Sequence, residues 1–200
     1  MKKIVLASGN KGKITEIKTL FSGMPIELIS QAEFNVPDAE EVGITFIENA
    51  IIKARNAAAH TGLPAIADDS GLTINALNGE PGVYSARYAD TNEKRIAKVL
   101  KNLEGIGVEN RGASFHCAIV LMRHENDPAP IVAHGIWPGE ILFEARGDKG
   151  FGYDPIFFIS DYKKSAAELE PELKNKISHR GRAFNTFLQE LKHEMALAPL

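Results

Sequence analysis

Apolar runs alternate with amphipathic stretches along the first third of the chain. Lys3–Ala7 and Ile26–Ser30 are short and rich in apolar residues, as buried strands are, whereas Ile14–Phe21 places its apolar side chains on one helical face. A longer helix is indicated by the capping box of Thr45–Glu48, and it is predicted to end at Gly62, because glycine favours helix termination. Alternating strands and helices predict an α/β fold.

The same alternation continues toward the C-terminus. Leu63–Ala67 is predicted to be a short strand that ends where Asp68-Asp69-Ser70-Gly71 begins, and Pro138 and Gly139 are expected to interrupt a later strand. The other predicted elements are the helices Glu93–Leu103 and Arg180–Met195 and the strands Ala113–Arg123, Pro130–Ile136, Glu140–Ala145 and Ile156–Ile159. No repeat, low-complexity segment or long linker divides residues 1–200. A single domain with a mixed sheet flanked by helices is therefore predicted.

Composition and charge narrow the class of protein. Of the 200 residues, 44% are hydrophobic and 24% are charged, as in an ordinary soluble globular protein. The formal net charge of −3 argues against a general nucleic-acid binder, which would carry a basic excess. Cys117 is the only cysteine and lies in an apolar run, so we expect a buried thiol and no internal disulfide. Without a signal-like start or a membrane-length apolar stretch, a cytoplasmic protein with no membrane partner is predicted.

Ser8–Lys13, with the sequence Ser-Gly-Asn-Lys-Gly-Lys, stands between the first predicted strand and the first predicted helix. Its two glycines allow a close backbone approach to a ligand, and a positive φ where the turn requires one. The following helix directs its unpaired N–H groups toward that ligand, and Lys11 and Lys13 add full positive charges. The spacing is not that of a Walker A loop. An ordinary turn with solvated lysines is the alternative to a polyphosphate site.

Two pairs of carboxylates are candidates for a metal site. Glu40 and Glu41 lie on a polar loop, where solvated acids are the ordinary interpretation. Asp68 and Asp69 follow an apolar strand, at the kind of strand end where ligands bind in open α/β sheets. The alternative is an Asp-Ser-Gly turn with an Asx-type hydrogen bond. Mg²⁺ reconciles both pairs, because it prefers one or two carboxylates with phosphates and water, and a remaining carboxylate can accept a proton from that water.

An aromatic turn and a basic cluster are the remaining candidates. Gly150–Pro155 exposes Phe151 between two glycines and beside Asp154, which suits stacking and polar recognition of a nucleobase. A β-turn with two core aromatics is the alternative. Lys174 and Ser178–Gly181 form a donor-rich cluster suited to carbonyl or phosphate oxygens. The capped helix also carries a polar stripe that consists of Asn49, Lys53 and His60. This stripe is expected to be mostly solvated, with Lys53 the member expected to reach a cleft.

Together these motifs resemble the inosine/xanthosine triphosphate pyrophosphatase family, which comprises the dITP/XTP pyrophosphatases. The resemblance extends from the N-terminus to the last predicted helix, and the joint occurrence of six motifs in this order is highly specific. Ser8 stands where threonine is common in the family, a change that keeps the hydroxyl. The motifs are Ser8–Lys13, Thr45–Ala50, Ala67–Gly71, Pro81–Arg87, Phe151–Asp154 and Ser178–Arg180.

The resemblance implies a fold and a reaction. The fold is an elongated α/β structure with a central mixed sheet, two lobes and the active-site cleft between them, usually as a homodimer. The reaction is the hydrolysis, with Mg²⁺, of nonstandard purine nucleoside triphosphates (ITP, dITP and XTP) to the monophosphate and pyrophosphate, which removes them from the nucleotide pool. The implied partner is a small-molecule substrate, with no nucleic acid and no membrane.

The resemblance also implies roles for individual residues. Asp69 is the implied proton acceptor, and Glu40 and Asp69 are the implied Mg²⁺ ligands, with Glu41 close enough to replace or join Glu40. The implied substrate-binding residues are Ser8, Gly9, Asn10, Lys11, Gly12 and Lys13 at the triphosphate, then Ser70, and finally Phe151, Gly152, Tyr153, Asp154, Lys174, His179 and Arg180 at the nucleoside end.

The basic residues near the C-terminus predict which purine bases the protein would bind, and two other functions are possible. Lys174 and Arg180 offer donors to the 6-oxo group of hypoxanthine and xanthine, whereas the amino group of adenine would leave those donors unpaired. A Maf-like pyrophosphatase would act on other nucleotides with a similar loop and carboxylates, although the Lys174 and Arg180 cluster argues against it. A sensor would bind a purine triphosphate without hydrolysing it, although Glu40 and Asp69 together argue against that.

Overall fold

Seven strands form one sheet in the computed structural model of this chain, which describes residues 2–197 apart from the side chains of Lys2, Lys11 and residues 194–197. The strands are β1 (Lys2–Leu6), β2 (Ile26–Ser30), β3 (Ala65–Ile74), β4 (Gly112–Met122), β5 (Ile131–Ile141), β6 (Phe157–Ile159) and β7 (Lys164–Ser165). Their order is β2-β1-β3-β4-β5-β6-β7. β1 is parallel to both of its neighbours and β6 is antiparallel to both of its neighbours. The predicted mixed sheet is confirmed.

Five α-helices accompany the strands in the described part of the chain. They are α1 (Lys11–Leu20), α2 (Phe46–Thr61), α3 (Asn92–Asn102), α4 (Pro171–Ile177) and α5 (His179–Leu197). α2 has the predicted limits, because Thr45 and Glu48 form the capping box and Gly62 ends the helix with a φ of 66°. α4 has no counterpart among the predicted elements. None of the described helices is long and apolar enough to cross a membrane.

The chain divides into two compact units. The first contains the residues up to Asp69, Cys117–Gly135 and the residues from Arg180 onward, and the second contains Ser70–His116 and Ile136–His179. The boundaries therefore fall within β3, β4 and β5 and at the start of α5. Two units agree with the two lobes that the family resemblance implies, and the cleft expected between the lobes stays a prediction.

In the first unit, alternate strand residues face two different apolar clusters. Leu6, Ile66 and Cys117 pack with side chains of α1 and α5 on one face of the sheet. Val5 and Ala67 pack on the other face against α2, whose contribution consists largely of alanines. The first face therefore holds larger side chains than the second. The expected burial of the Cys117 thiol is confirmed.

The second unit has an aromatic core of its own. The Phe115 ring lies 4.5 Å from the Phe157 ring, and the Trp137 ring lies 5.3 Å from Phe157, measured between ring centroids. Leu72 and Ile74 from the end of β3 are fully buried in the same cluster. This core supports the segments that carry the second group of predicted site residues.

β3 is longer than predicted and contains the Asp68–Gly71 sequence. The prediction that the strand ends at Ala67 is wrong, and the alternative of an Asp-Ser-Gly turn is excluded as well. Leu72 and Ile74 continue the strand because both are buried in the core of the second unit. Burial of these side chains outweighs the turn preference of aspartate, serine and glycine.

β5 is also longer than predicted, because Pro138 and Gly139 do not interrupt it. The strand runs on to Ile141, and the separate strand predicted from Glu140 does not form. A Cβ atom at Gly139 would lie 2.5 Å from the carbonyl oxygen of Phe158, so glycine permits the close approach of β6. Gly139, which in the sequence suggests an interrupted strand, therefore lies within a continuous strand and is needed there for close packing.

Candidate active site

The segment between β1 and α1 caps a helix N-terminus with its own side chains. Asn10 is the N-cap of α1, and its side chain accepts a hydrogen bond from the backbone N–H of Lys13 at 3.2 Å. Ser8 Oγ accepts a hydrogen bond from the backbone N–H of Asn10 at 3.3 Å. This cap starts the helix at Lys11, earlier than the predicted start at Ile14.

Neither glycine of this segment makes a left-handed turn. Gly9 has no positive φ, and Gly12 lies inside α1, so the turn does not require the positive φ that glycine allows. The side chain of Lys11 lies outside the described residues. The segment therefore presents the positive end of α1 together with the ammonium group of Lys13, a combination that attracts anions.

Asp68 and Asp69 are consecutive residues of β3, so their side chains point to opposite faces of the sheet. β1 pairs with β3 as far as Leu6 and Ile66, which places both carboxylates just beyond the carboxyl end of β1. The expectation that these acids lie at a strand end therefore holds for the neighbouring strand and not for their own. The carboxyl ends of such strands are where open α/β sheets bind ligands.

Asp68 belongs to a buried charge cluster that consists of Lys13, Glu16, Asp68 and Arg180. Asp68 Oδ2 lies 2.9 Å from Lys13 Nζ and 4.0 Å from Arg180 Nε, and Arg180 Nη1 donates to Glu16 Oε2. Asp68 is 1% exposed and Arg180 is 3% exposed. Burial by itself raises the pKa of Asp68, but Lys13 and then Arg180 outweigh it and hold that pKa well below its usual range. Asp68 is therefore an ionised partner of two cations.

Asp69 contacts a different lysine, on α2. Lys53 Nζ donates to Asp69 Oδ1 at 2.9 Å and lies 3.0 Å from Glu41 Oε1. Burial raises the pKa of Asp69, and the Lys53 ammonium opposes this rise without cancelling it. Asp69 Oδ2 is buried and has no hydrogen-bond partner among the described residues. Asp69 therefore combines one oxygen held by a cation with one that no described side chain engages.

The loop that carries Glu40 and Glu41 is fixed to α2 by a buried amide. Asn49 Oδ1 accepts a hydrogen bond from the backbone N–H of Gly43 at 2.9 Å, and a Cβ atom at Gly43 would lie 2.7 Å from that same oxygen. Asn49 is fully buried, so the prediction that it is solvated is wrong. Glu41 reaches Lys53, whereas Glu40 is exposed.

In the second unit, the Gly150–Asp154 turn folds around one carboxylate. Asp154 Oδ2 accepts hydrogen bonds from the backbone N–H of Phe151 at 2.8 Å and from Lys174 Nζ at 2.6 Å. The Lys174 ammonium also lies 5.0 Å from the centre of the Phe151 ring, which is 37% exposed. Gly150 and Gly152 have φ values of 78° and 63°, so both glycines are needed for this backbone. The turn presents an aromatic face with a cation beside it.

Other predicted residues of the second unit are less exposed. His179 is 5% exposed, and its ring stacks on Phe115 at 4.8 Å and on Trp137 at 6.2 Å between centroids. Tyr153 is 4% exposed and is part of the aromatic core. Ser70, the first residue of this unit, is half-buried on β3.

The two donors predicted to recognise the base are both engaged with carboxylates. Lys174 pairs with Asp154 within the second unit. Arg180 lies in the first unit, where it pairs with Glu16 and approaches Asp68. The structure therefore groups Arg180 with the charges around α1 and groups Lys174 with the aromatic turn.

Several contacts at the site have no signal in the sequence. Glu16 looks like one more exposed acid on an amphipathic helix, yet it is the carboxylate that binds Arg180, 164 residues later. Ser85 lies in a motif that supports only the family resemblance, yet it contacts Tyr153 through its backbone oxygen. Long-range contacts of this kind follow from the fold and not from local spacing.

The carboxylates of the first unit fit the needs of Mg²⁺. This ion prefers one or two carboxylates and takes its other ligands from phosphate oxygens and water. Asp69 Oδ2 is a buried oxygen without a described partner, and Glu41 lies beside the same Lys53 that contacts Asp69. No group of three or more His, Cys, Asp or Glu side chains that would enclose a metal occurs among the described residues. An ion held by Asp69 and Glu41 would take its remaining ligands from phosphate oxygens or water.

The sequence model of the Ham1 family matches residues 4–190. The chain belongs to the Ham1 family. A dITP/XTP pyrophosphatase of Coxiella burnetii is 59% identical over 186 residues, 92% of this chain and 93% of that one. A dITP/XTP pyrophosphatase of Vibrio parahaemolyticus is 55% identical over 199 residues, 98% of this chain and 100% of that one. The resemblance inferred from the motifs is confirmed.

A solved Ham1 structure supports the same conclusion for the fold. The HAM1 protein of Coxiella burnetii has a TM-score of 0.91 and 56% sequence identity to this chain, and the match covers 96% of this chain and 100% of that one. The α/β fold with a mixed sheet is thus the fold of the Ham1 family.

We predict that Asp68→Asn destabilises the protein by about 3 kcal/mol, because it leaves Lys13 and Arg180 without their shared buried carboxylate. Urea unfolding at neutral pH measures this loss. Asp90→Asn is the matched control, since Asp90 pairs with Lys94 on the surface and such pairs contribute less than about 1 kcal/mol. Equal losses of unfolding free energy in the two variants would show that the buried charge cluster stabilises the protein no more than an exposed ion pair does.

Proposed function

We propose that this chain hydrolyses nonstandard purine nucleoside triphosphates, namely ITP, dITP and XTP, to the nucleoside monophosphate and pyrophosphate. The observation that carries the proposal is Asp69, with one oxygen held by Lys53 and the other buried without a described partner. This carboxylate lies just beyond the carboxyl end of β1, and β1 leads into the capped N-terminus of α1, which suits phosphate. Relatives more than half identical to this chain carry the name dITP/XTP pyrophosphatase.

The triphosphate is assigned to the charges of the first unit. The N-terminus of α1 and the Lys13 ammonium stabilise negative oxygens, and Lys13 is itself positioned by Asp68. Phosphoryl chemistry depends on positioning and charge neutralisation more than on covalent catalysis. These groups therefore lower the energy of the departing pyrophosphate without forming a bond to it.

Asp69 is assigned the role of proton acceptor for the attacking water. Burial raises the pKa of this carboxyl, which makes the carboxylate a stronger base, and Lys53 keeps it from being protonated too readily. The buried Oδ2 atom is the oxygen that receives the proton, since Oδ1 already accepts from Lys53. Lys53 thus orients the carboxylate while it adjusts the basicity.

Mg²⁺ is the proposed cofactor, with Asp69 and one or both of Glu40 and Glu41 as its protein ligands. When bound, the ion supplies positive charge to the phosphate oxygens and a place for water. The support is the position of Asp69 and Glu41 beside the same Lys53 ammonium. Glu40 rests on the family resemblance alone.

The purine is assigned to the Gly150–Asp154 turn of the second unit. The exposed Phe151 ring offers a stacking surface, and the Lys174 ammonium lies beside that ring. Ser70 and His179 are also assigned to substrate binding, on the basis of the family resemblance. The homodimer rests on the motif resemblance, and the cytoplasmic location rests on the single cysteine, whose buried thiol suits a reducing compartment.

A substrate panel tests the function. With Mg²⁺ present, we expect ITP, dITP and XTP to be hydrolysed at least about 100-fold more efficiently than ATP, because a site arranged for an oxo group rejects an amino group at that position. Product analysis should show pyrophosphate and not single phosphate. Preference for UTP or dTTP would favour a Maf-like enzyme, and tight ITP binding without any product would favour a sensor.

Asp69→Asn should abolish most turnover while much of the nucleotide binding remains. The amide keeps the size and the hydrogen bond of the carboxylate but cannot accept a proton, so we expect kcat to fall by about 100-fold or more. Steady-state kinetics with ITP and calorimetric titration with a non-hydrolysable analogue separate the two effects. Asp90→Asn is the control, because Asp90 is exposed just before α3. Its turnover and nucleotide binding should match those of the parent protein. Near-normal turnover in Asp69→Asn would refute the proton-acceptor role.

Removal of Mg²⁺ by EDTA should abolish pyrophosphate release, and added Mg²⁺ should restore it. Glu40→Gln and Glu41→Gln then identify the second ligand: the variant that loses a ligand should need about tenfold more Mg²⁺ for half-maximal rate. Measurement of rate against Mg²⁺ concentration in both variants makes the comparison. Full activity in EDTA would contradict the cofactor assignment, and unchanged Mg²⁺ requirements in both variants would contradict a role for either glutamate.

A further inference from the structure

Tyr153 belongs to the Gly150–Asp154 turn, yet its side chain points into the core. It is 4% exposed, and its hydroxyl donates a hydrogen bond to the backbone oxygen of Ser85 at 2.9 Å. We propose that Tyr153 and Ser85 are positioning residues, whose hydrogen bond sets the place of the Phe151 ring for the purine. This inference rests on the proposed function, because it assigns the turn to the base of the substrate.

Ser85 is itself fixed on two further sides. Its Oγ accepts a hydrogen bond from the backbone N–H of Leu72 at 2.9 Å and donates one to the backbone oxygen of Gly82 at 2.6 Å. Ser85 is 6% exposed, so these bonds are shielded from water. Leu72 lies two residues after Ser70 on β3. Ser85 therefore connects the aromatic turn to the strand that carries Ser70.

The turn transmits this fixed position to the Phe151 ring. Tyr153 is flanked by Gly152 and Asp154, and Asp154 binds the backbone N–H of Phe151 and the Lys174 ammonium. A shift of Tyr153 would move Asp154 with it, because the two residues share a peptide bond. Phe151 and Lys174 would then lose their common partner.

The Tyr153 hydroxyl is suited to a permanent donor role. Burial raises the pKa of Tyr153, so the phenol keeps its proton under all ordinary conditions. Its hydrogen bond also satisfies a carbonyl oxygen inside the core of the second unit, where an unsatisfied acceptor is costly. The hydroxyl is thus directed at Ser85 and away from the exposed ring of Phe151.

Tyr153→Phe removes only the hydroxyl and tests the inference by kinetics. We expect KM for ITP to rise about fivefold to tenfold with kcat within about twofold of the parent, since the lost positioning weakens binding of a base remote from the reacting phosphates. The preference for ITP over ATP should fall by a similar factor. Tyr88→Phe is the matched control, because that hydroxyl bonds Glu80 and Asn102 near the surface of the same unit. A merely structural role would lower the active fraction, and hence kcat, equally for both nucleotides.

A second measurement needs no turnover. Hydrogen–deuterium exchange at the Phe151 amide should be at least about fivefold faster in Tyr153→Phe than in the parent or in Tyr88→Phe, since the turn loses its fixed point. Ser85→Ala, which removes the bonds to Leu72 and Gly82, should act in the same direction. Unchanged exchange in both Tyr153→Phe and Ser85→Ala overturns the inference. Absence of pyrophosphate release by the parent protein instead overturns the proposed function.

Discussion

Two adjacent negative charges inside a strand impose the main constraint on this structure. Asp68 and Asp69 are almost fully buried, and a carboxylate in such a place is tolerated only with cations close by. Successive strand residues face opposite ways, so the lysine in direct contact differs between the two aspartates. Lys13 comes from α1 on one face and Lys53 from α2 on the other. The placement of two helices against the sheet is therefore tied to the charges of two neighbouring residues.

The two carboxylates acquire different chemistry from these surroundings. Asp68 meets Lys13 and the guanidinium of Arg180, and its pKa is held low, so it serves to position cations. Asp69 meets one lysine, which also contacts Glu41, and burial keeps its pKa raised. Identical side chains one residue apart thus become a fixed counter-ion and a candidate base. Environment and not residue type distinguishes them.

Local signals made α2, its caps and the family motifs predictable, because each depends on residues within a few positions of one another. The extent of β3 was not predictable in this way, since it depends on the burial of Leu72 and Ile74 in the second unit's core. The pairing of Arg180 with Glu16 was hidden for the same reason, as it joins the two ends of the chain. Motif spacing supplied the candidate site residues, but it could not separate those that face outward from those, such as Tyr153, that face the core.

The alternation along β3 also protects the strand against mispairing. Ile66 faces the larger side chains near α1 and α5, while Ala65 and Ala67 face the alanines of α2. A slip of one residue would press isoleucine against the tightly packed alanine face and leave a void opposite it. The same slip would exchange the partners of the two aspartates. Side-chain packing and ion pairing therefore specify the same register. A strand shifted by one residue would lose both its packing and its ion pairs.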